Sequence, residues 1–283
     1  MATLLPDGKA LVGGIRGSDT YAFGYLAVYD PATDTFTPQT FPGEGEYPSS
    51  AALLPNGKVL LAVGVDEWYS DAAGLYDPAT GTTTVERKMD AWLMYPMAVL
   101  LPNGRAIVTG RDDSMYKSGF DGSVRLYDPS TDSFAPPVGI NHAEGFSSTL
   151  LQDGTVLIGA GWVCCGRSIN TVDIYRPDTL VPAPSLLGVL HASTHAPVSQ
   201  DAPAMAGEAL EIYGSGLMDD SVIPPQATIG GRMADVLYYG KAPGFAGLNQ
   251  INVRVPAAAS AGAAPLQLRY IGRFSNTLSI AVR

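Results

Sequence analysis

The 283-residue chain is 46% hydrophobic and only 16% charged, with 32 Gly, 22 Pro and a formal net charge of −10. That charge excludes the basic footprint that nucleic acid or an anionic membrane surface requires, and no apolar run reaches the roughly 18 residues of a membrane-spanning helix. Long helical runs of Glu, Lys and Ala are missing too, so short strands joined by tight turns are expected.

Met1 leads straight into Ala-Thr-Leu-Leu-Pro-Asp-Gly, with no basic and apolar leader ahead of it in the sequence as written. The turn motif Leu5-Pro6-Asp7-Gly8-Lys9 returns as Leu54-Pro55-Asn56-Gly57-Lys58, as Leu101-Pro102-Asn103-Gly104-Arg105 and, more weakly, as Leu151-Gln152-Asp153-Gly154-Thr155. The interval is about 50 residues, the range of propeller-type repeats. A second motif keeps step: Tyr29-Asp30-Pro31-Ala32-Thr33, Tyr76-Asp77-Pro78-Ala79-Thr80, Tyr127-Asp128-Pro129-Ser130-Thr131, and Tyr175-Arg176-Pro177-Asp178-Thr179, where the turn Asp is lost.

Asn-Gly or Asp-Gly between apolar runs predicts a hairpin in which both turn residues take positive φ. In Asp-Pro-x-Thr, Pro fixes φ and Asp bonds the backbone ahead. Each unit therefore predicts four strands, in the second unit at 50–54, 58–64, 73–77 and 82–85, which is one propeller blade. At these residues the chain resembles the kelch repeats of galactose-oxidase-like propellers in their bacterial form. Gly13-Gly14 keeps the glycine doublet of those repeats, while Gly64, Gly110 and Gly161 keep one of the pair. The resemblance covers residues 1–187 and implies an all-β kelch-type propeller of four recognisable blades. It also implies an extracellular or periplasmic protein. Kelch propellers of this kind usually have more blades, and the first repeat begins inside its first strand. The expectation is therefore the C-terminal part of a longer gene product, or an internal start; the alternatives are a closed four-blade propeller and a homodimer pairing through open propeller edges.

After Leu187 the rhythm stops, and residues 188–206 read as a linker. Residues 207–283 alternate with period two, as in Ile251-Asn252-Val253-Arg254-Val255. Ile212-Tyr213-Gly214-Ser215-Gly216-Leu217, Asn249-Gln250-Ile251-Asn252-Val253 and Ser275-Asn276-Thr277 resemble an IPT/TIG-type immunoglobulin-like domain common at the C-terminus of secreted bacterial proteins. That resemblance implies a β-sandwich accessory used for packing or adhesion.

In a blade the two tight turns share one end. The longer loops, predicted at 15–26, 65–72, 111–122 and 162–170 and between blades at 39–49, 86–96 and 137–146, share the other, where function tends to sit. Trp68, Tyr69, Trp92, Tyr95, Tyr116, Trp162, Arg111 and Arg167 there form a candidate binding face for a glycan, small molecule or protein. Asp66, Asp112 and Asp113 are candidate oxygen ligands for Ca²⁺, and His142 and Glu144 candidate general bases beside it. The same loops also fit a plainer account, in which acidic residues keep the surface soluble and aromatics fill gaps between blades. Cys164-Cys165 is either a strained vicinal disulfide or two thiols, with no zinc-type spacing.

The hydrolase elbow Gly-x-Ser-x-Gly, His-Glu-x-x-His and phosphate-binding glycine loops are absent from the sequence. A copper-radical oxidase needs a Tyr-His pair that the sequence also lacks. The leading expectation is ligand recognition through the loop-rich face. A Ca²⁺-dependent hydrolase of small esters or lactones and a purely adhesive protein are the alternatives.

Overall fold

The computed structural model describes residues 1–18, 21–42, 46–65, 70–87, 89, 93–112, 121–136, 138–140, 147–163 and 167–283. At 16–18, 21–23, 65, 86–87, 111–112, 121–122, 138–140, 160–163 and 167–171 it describes the backbone alone. The described residues form strands and turns with no helix. They divide into two compact units, 1–150 with 155–178, and 151–154 with 179–283.

The first unit is a set of antiparallel meanders in which each strand pairs with the next. Blade one comprises β1 (Ala2–Leu4), β2 (Ala10–Ser18), β3 (Tyr21–Asp30) and β4 (Thr35–Gln39). Blade two comprises β5 (Glu46–Leu53), β6 (Val59–Val65), β7 (Ala72–Asp77) and β8 (Thr82–Arg87). Blade three comprises β9 (Leu93–Leu100), β10 (Ala106–Asp112), β11 (Asp121–Asp128) and β12 (Ser133–Phe134), with β13 (Val138–Ile140) also on β11. Blade four has β14 (Ser147–Leu150), β15 (Val156–Val163) and β16 (Arg167–Tyr175). First strands meet in succession, β1 with β5, β5 with β9 and β9 with β14, as expected of blades arranged around an axis.

The repeated turns form the hairpins by a different route from the one the dipeptides suggest. The Leu54 amide donates to the Lys58 carbonyl at 2.8 Å and the Gly57 amide to Leu54 at 3.0 Å. Gly57 sits at φ +87, as Gly8, Gly104 and Gly154 do at +83, +86 and +89, whereas Asp7, Asn56, Asn103 and Asp153 keep negative φ. The turn thus closes in three residues with only Gly left-handed, and it does so in the fourth copy too, where Gln152 replaces the proline. The second turn follows its expected chemistry. Asp30, Asp77 and Asp128 each accept, through Oδ1, the amide two residues on, at 2.9, 3.0 and 2.9 Å.

Blade four departs from the expected four strands. Arg176 stands where the turn carboxylate belongs, so nothing folds the chain back, and Pro182 and Pro184 follow. The chain instead leaves the blade after Tyr175, and its next strand, β17 (Ser185–His191), joins the second unit.

The blades hold together by flat apolar faces. Leu11 and Leu26 of blade one pack with Val59, Leu61 and Tyr76 of blade two. Leu60, Ala62 and Ala73 of blade two pack with Ala106, Val108 and Tyr127 of blade three, and Ile107 and Val124 of blade three with Val156 and Ile158 of blade four. Each fully buried Leu or Ile contributes about 2 kcal/mol.

The second unit adds β18 (Ala209–Ser215), β19 (Gln226–Ile229), β20 (Arg232–Lys241), β21 (Asn249–Arg254), β22 (Gly262–Tyr270), β23 (Arg273–Phe274) and β24 (Leu278–Val282). With β17 they make one continuous sheet ordered β17-β18-β21-β20-β19-β22-β23, with β24 on β22. The sheet turns at β20, whose residues 232–234 pair with β19 and residues 235–241 with β21. Leu210, Ile212, Ile251 and Val253 from one half meet Ile229, Leu266, Leu268 and Ile280 from the other in a single core. Ahead of β18, His191 Nδ1 lies 2.6 Å from Glu208 and its Nε2 lies 3.1 Å from the Ala202 carbonyl. Glu208 also accepts the Met205 amide at 2.8 Å.

Candidate functional site

The loop-rich end of the first unit is built on strands longer than the sequence suggests. The β2–β3 ladder runs out to Ser18↔Tyr21, β10–β11 to Asp112↔Asp121, and β15–β16 to Val163↔Arg167. Residues 15–18, 111–112 and 162–163, expected in loops, therefore lie on paired backbone, which fixes where the connections start.

Three blades carry a bulge near that end. β5 has an extra residue between Pro48 and Ser50 opposite Val63 and Ala62. β9 places two residues, Tyr95 and Pro96, opposite the gap between Thr109 and Arg111. β16 has an extra residue opposite the gap between Gly159 and Gly161. A bulge bends its strand and re-aims a side chain, and bulges gather beside functional sites. In blade three the residue re-aimed is Tyr95, held at φ +49 and 49% exposed. For a large side chain that conformation costs on the order of 1–3 kcal/mol, so surrounding structure must enforce it.

Arg125 is the buried cation of the same blade. It is only 2% exposed, its Nε donates to the Met89 carbonyl at 2.7 Å and its Nη1 to Ser123 Oγ at 2.5 Å. The Met89 amide donates to the Asp71 carbonyl at 3.2 Å, and Ser70 and Leu93 exchange backbone hydrogen bonds at 3.2 and 2.9 Å. Met89 and Leu93 are thus each hydrogen-bonded to neighbouring backbone, and Leu93 lies two residues before Tyr95. Arg125 is not among the site residues that the sequence suggests. Its signal is a lone cation inside the apolar alternation Val124-Arg125-Leu126-Tyr127, where blades one and two carry Ala27 and Gly74.

Of the residues expected at this face, Tyr95 alone has a described side chain. Arg111, Asp112, Trp162 and Arg167 are placed by backbone only. Asp66, Trp68, Tyr69, Trp92, Asp113, Tyr116, His142, Glu144, Cys164 and Cys165 lie outside the described residues. Among the described residues no three of His, Cys, Asp and Glu come together as a metal-binding group.

A concavity of about 990 Å³ lies in the second unit between residues 216–219 and 241–249. Lys241 on its rim is 3.5 Å from Asp219 and 3.4 Å from Asp220, and Asp220, through its hydrogen bond, and the charges of both hold the ammonium above its usual range. Asn249 Oδ1 accepts the Leu217 amide at 3.1 Å, and Phe245 is 63% exposed. The ion pairs are solvated and contribute little. Nothing in the sequence reading singles out this loop, although its glycine-flanked phenylalanine (Gly244-Phe245-Ala246-Gly247) is a visible signal.

No family model matches the chain, and no curated protein matches it. Among solved structures, a fungal alcohol oxidase of the AA5 family in complex with copper is similar at 15% identity and a TM-score of 0.38, over 99% of this chain and 74% of that one. A likeness at that level leaves the fold to rest on the strand order and blade packing described above.

Proposed function

We propose that the chain is a recognition protein whose binding face is the loop-rich end of the propeller unit, and that its ligand is a neutral carbohydrate, a small molecule or a protein segment. The observation that carries this is the recurrence of bulges near the loop-rich ends of blades two, three and four, with Tyr95 displayed on one of them in a strained, enforced conformation. An exposed, rigidly held aromatic supplies stacking area at low entropic cost. The net charge of −10 favours a neutral partner over an anionic one. Carbohydrate comes first, because stacking on a tyrosine suits the apolar face of a sugar ring.

We read the second unit as an immunoglobulin-like accessory. An extracellular or periplasmic setting belongs to the same proposal and rests on the resemblance of the repeats alone. The test is a glycan-array screen of the full chain, followed by calorimetry on the strongest glycan with wild type and Tyr95→Ala. The reading predicts at least a tenfold loss of affinity in the variant. Binding unchanged in Tyr95→Ala would refute it, as would turnover of chromogenic esters with no binding on the array.

A further inference from the structure

Two walls of the second unit enclose its concavity, and two different contacts tie those walls together. One wall is the segment 216–219 that follows β18. The other is the connection from the end of β20, through residues 242–248, to the start of β21. On the buried side Asn249 is only 5% exposed, and its Oδ1 accepts the Leu217 amide at 3.1 Å. On the solvent side Lys241 Nζ lies 3.5 Å from Asp219 and 3.4 Å from Asp220. A hollow braced in both places is already shaped before a ligand enters, so little binding energy is lost to ordering it.

The second wall displays Phe245 on a loop that closes on itself. The Ala242 amide donates to the Leu248 carbonyl at 2.8 Å, and the Phe245 amide to the Ala242 carbonyl at 3.2 Å. Gly244 and Gly247 take φ +82 and +75, and a Cβ on either would meet nothing within 4 Å. These glycines therefore serve the backbone conformation of the loop and not a close approach. Between them the phenylalanine ring lines the hollow while remaining 63% exposed.

The lining combines apolar surface with an excess of one sign of charge. Leu217 and Met218 are half-buried in the first wall and face the same space as Phe245. At the rim the two carboxylates of Asp219 and Asp220 share the single ammonium of Lys241, which leaves the rim negative. An aromatic face attracts a cation through its quadrupole, and a carboxylate attracts it directly. Apolar lining beside them favours a cation that carries carbon, because a bare metal ion would leave that surface unused. The net charge of −10 draws cations towards the molecule and repels anions.

We propose that this concavity is a binding site for a small organic cation, an alkylated or aromatic ammonium. Its charged head meets Phe245 and the carboxylate rim, and its apolar body lies against Leu217 and Met218. The volume of about 990 Å³ is at the upper end of the roughly 300–1,000 Å³ of small-molecule sites. This inference does not rest on the glycan reading of the propeller unit. Ligand and location both differ, so either can fail alone.

The test is calorimetric titration of the full chain at low ionic strength with benzyltrimethylammonium chloride, and with benzyl alcohol as the neutral control. The expected result is saturable binding of the cation, with the alcohol weaker by about fivefold or more. Phe245→Leu keeps apolar bulk but removes the aromatic face, and should weaken the cation about threefold or more. Asp219→Asn combined with Asp220→Asn should also weaken it and flatten its salt dependence. Asn suits the φ of +58 at position 220. Lys241→Met should tighten binding, because it removes the competing ammonium from the rim. Circular dichroism checks that each variant keeps its fold. Absence of saturable cation binding overturns the proposal, as does equal affinity for benzyl alcohol. Affinity unchanged in Phe245→Leu, or weakened in Lys241→Met, overturns it as well.

Discussion

The guanidinium of Arg125 lies 2.7 Å, through Nε, from the carbonyl oxygen of Met89, and so ties the third strand of blade three to the connection that enters that blade. A buried arginine is costly unless every donor is met. Here the Met89 carbonyl and the Ser123 hydroxyl meet two of its donors.

Arg125→Met is expected to destabilise the propeller unit by about 3 kcal/mol, since it leaves the buried Met89 carbonyl and Ser123 hydroxyl short of a donor. Arg125→Lys should recover part of this. All three tryptophans, Trp68, Trp92 and Trp162, belong to the blade repeats, so tryptophan fluorescence during urea unfolding reads this unit.

Tyr95→Gly and Tyr95→Ala separate backbone strain from binding. Both remove the ring, so both should lose ligand affinity. Glycine alone accepts φ +49 without strain. Tyr95→Gly should therefore be more stable than Tyr95→Ala by about 1 kcal/mol in the same urea titration. Equal stabilities would mean that the left-handed conformation is not maintained in solution.

The pair His191 and Glu208 gives the second unit a bounded pH window. The hydrogen bond to Glu208 raises the His191 pKa above its ordinary 6.5, against the opposing effect of burial. Burial alone would raise the Glu208 carboxyl, but the Met205 amide and His191 outweigh it and hold the pKa below its ordinary 4.5. A raised histidine stabilises fully below pH 6.5 and loses that contribution as pH rises through its folded value. A lowered carboxylate stabilises fully above pH 4.5 and loses it as pH falls through its folded value. The pair's contribution is therefore greatest between about pH 4.5 and 6.5. Thermal unfolding followed by far-ultraviolet circular dichroism across pH 3–9, compared with His191→Gln, should show that maximum flattened in the variant.

Asp128 joins two functions that substitution can separate. Its Oδ1 accepts the Ser130 amide and hydroxyl at 2.9 and 2.6 Å, and its Oδ2 accepts from Arg105 Nε at 2.9 Å. The Ser130 hydroxyl is the main reason its pKa lies below the ordinary value, with the Ser130 amide and Arg105 adding to it against burial. Asp128→Asn keeps the turn and weakens the solvated ion pair, so it should cost under about 1 kcal/mol. Asp128→Ala also loses the turn and should cost about 1 kcal/mol more. The wild-type advantage over Asp128→Asn should disappear as pH falls through the folded pKa of Asp128.

What the sequence makes legible is what short-range chemistry decides. Leu-Pro-Asn-Gly-Lys and Tyr-Asp-Pro-x-Thr close their own turns, so blade two appears almost strand for strand: 58–64 and 73–77 are expected, and Val59–Val65 and Ala72–Asp77 are found. The turn geometry itself is not legible from Asn-Gly, because all four copies close in three residues with only the glycine left-handed. Long-range choices are hidden. Residues 185–191 straddle the boundary drawn at 187 because a strand's sheet is set by its partner, here β18. The same holds for the bend in β20, which serves two neighbours at once. At the candidate site, Tyr95 can be named from its loop position, but its strain comes from a register shift against β10 that no local motif encodes. Arg125 is equally hidden, since its role is fixed by Met89, 36 residues away.

The most direct test of ligand recognition at the propeller's loop-rich end is hydroxyl-radical footprinting of the full chain, with and without the strongest glycan from the array. The account predicts protection of Tyr95 on ligand addition, with Phe245 in the second unit's concavity unchanged. Protection confined to Phe245 and its neighbours, with Tyr95 equally reactive in both states, would contradict it.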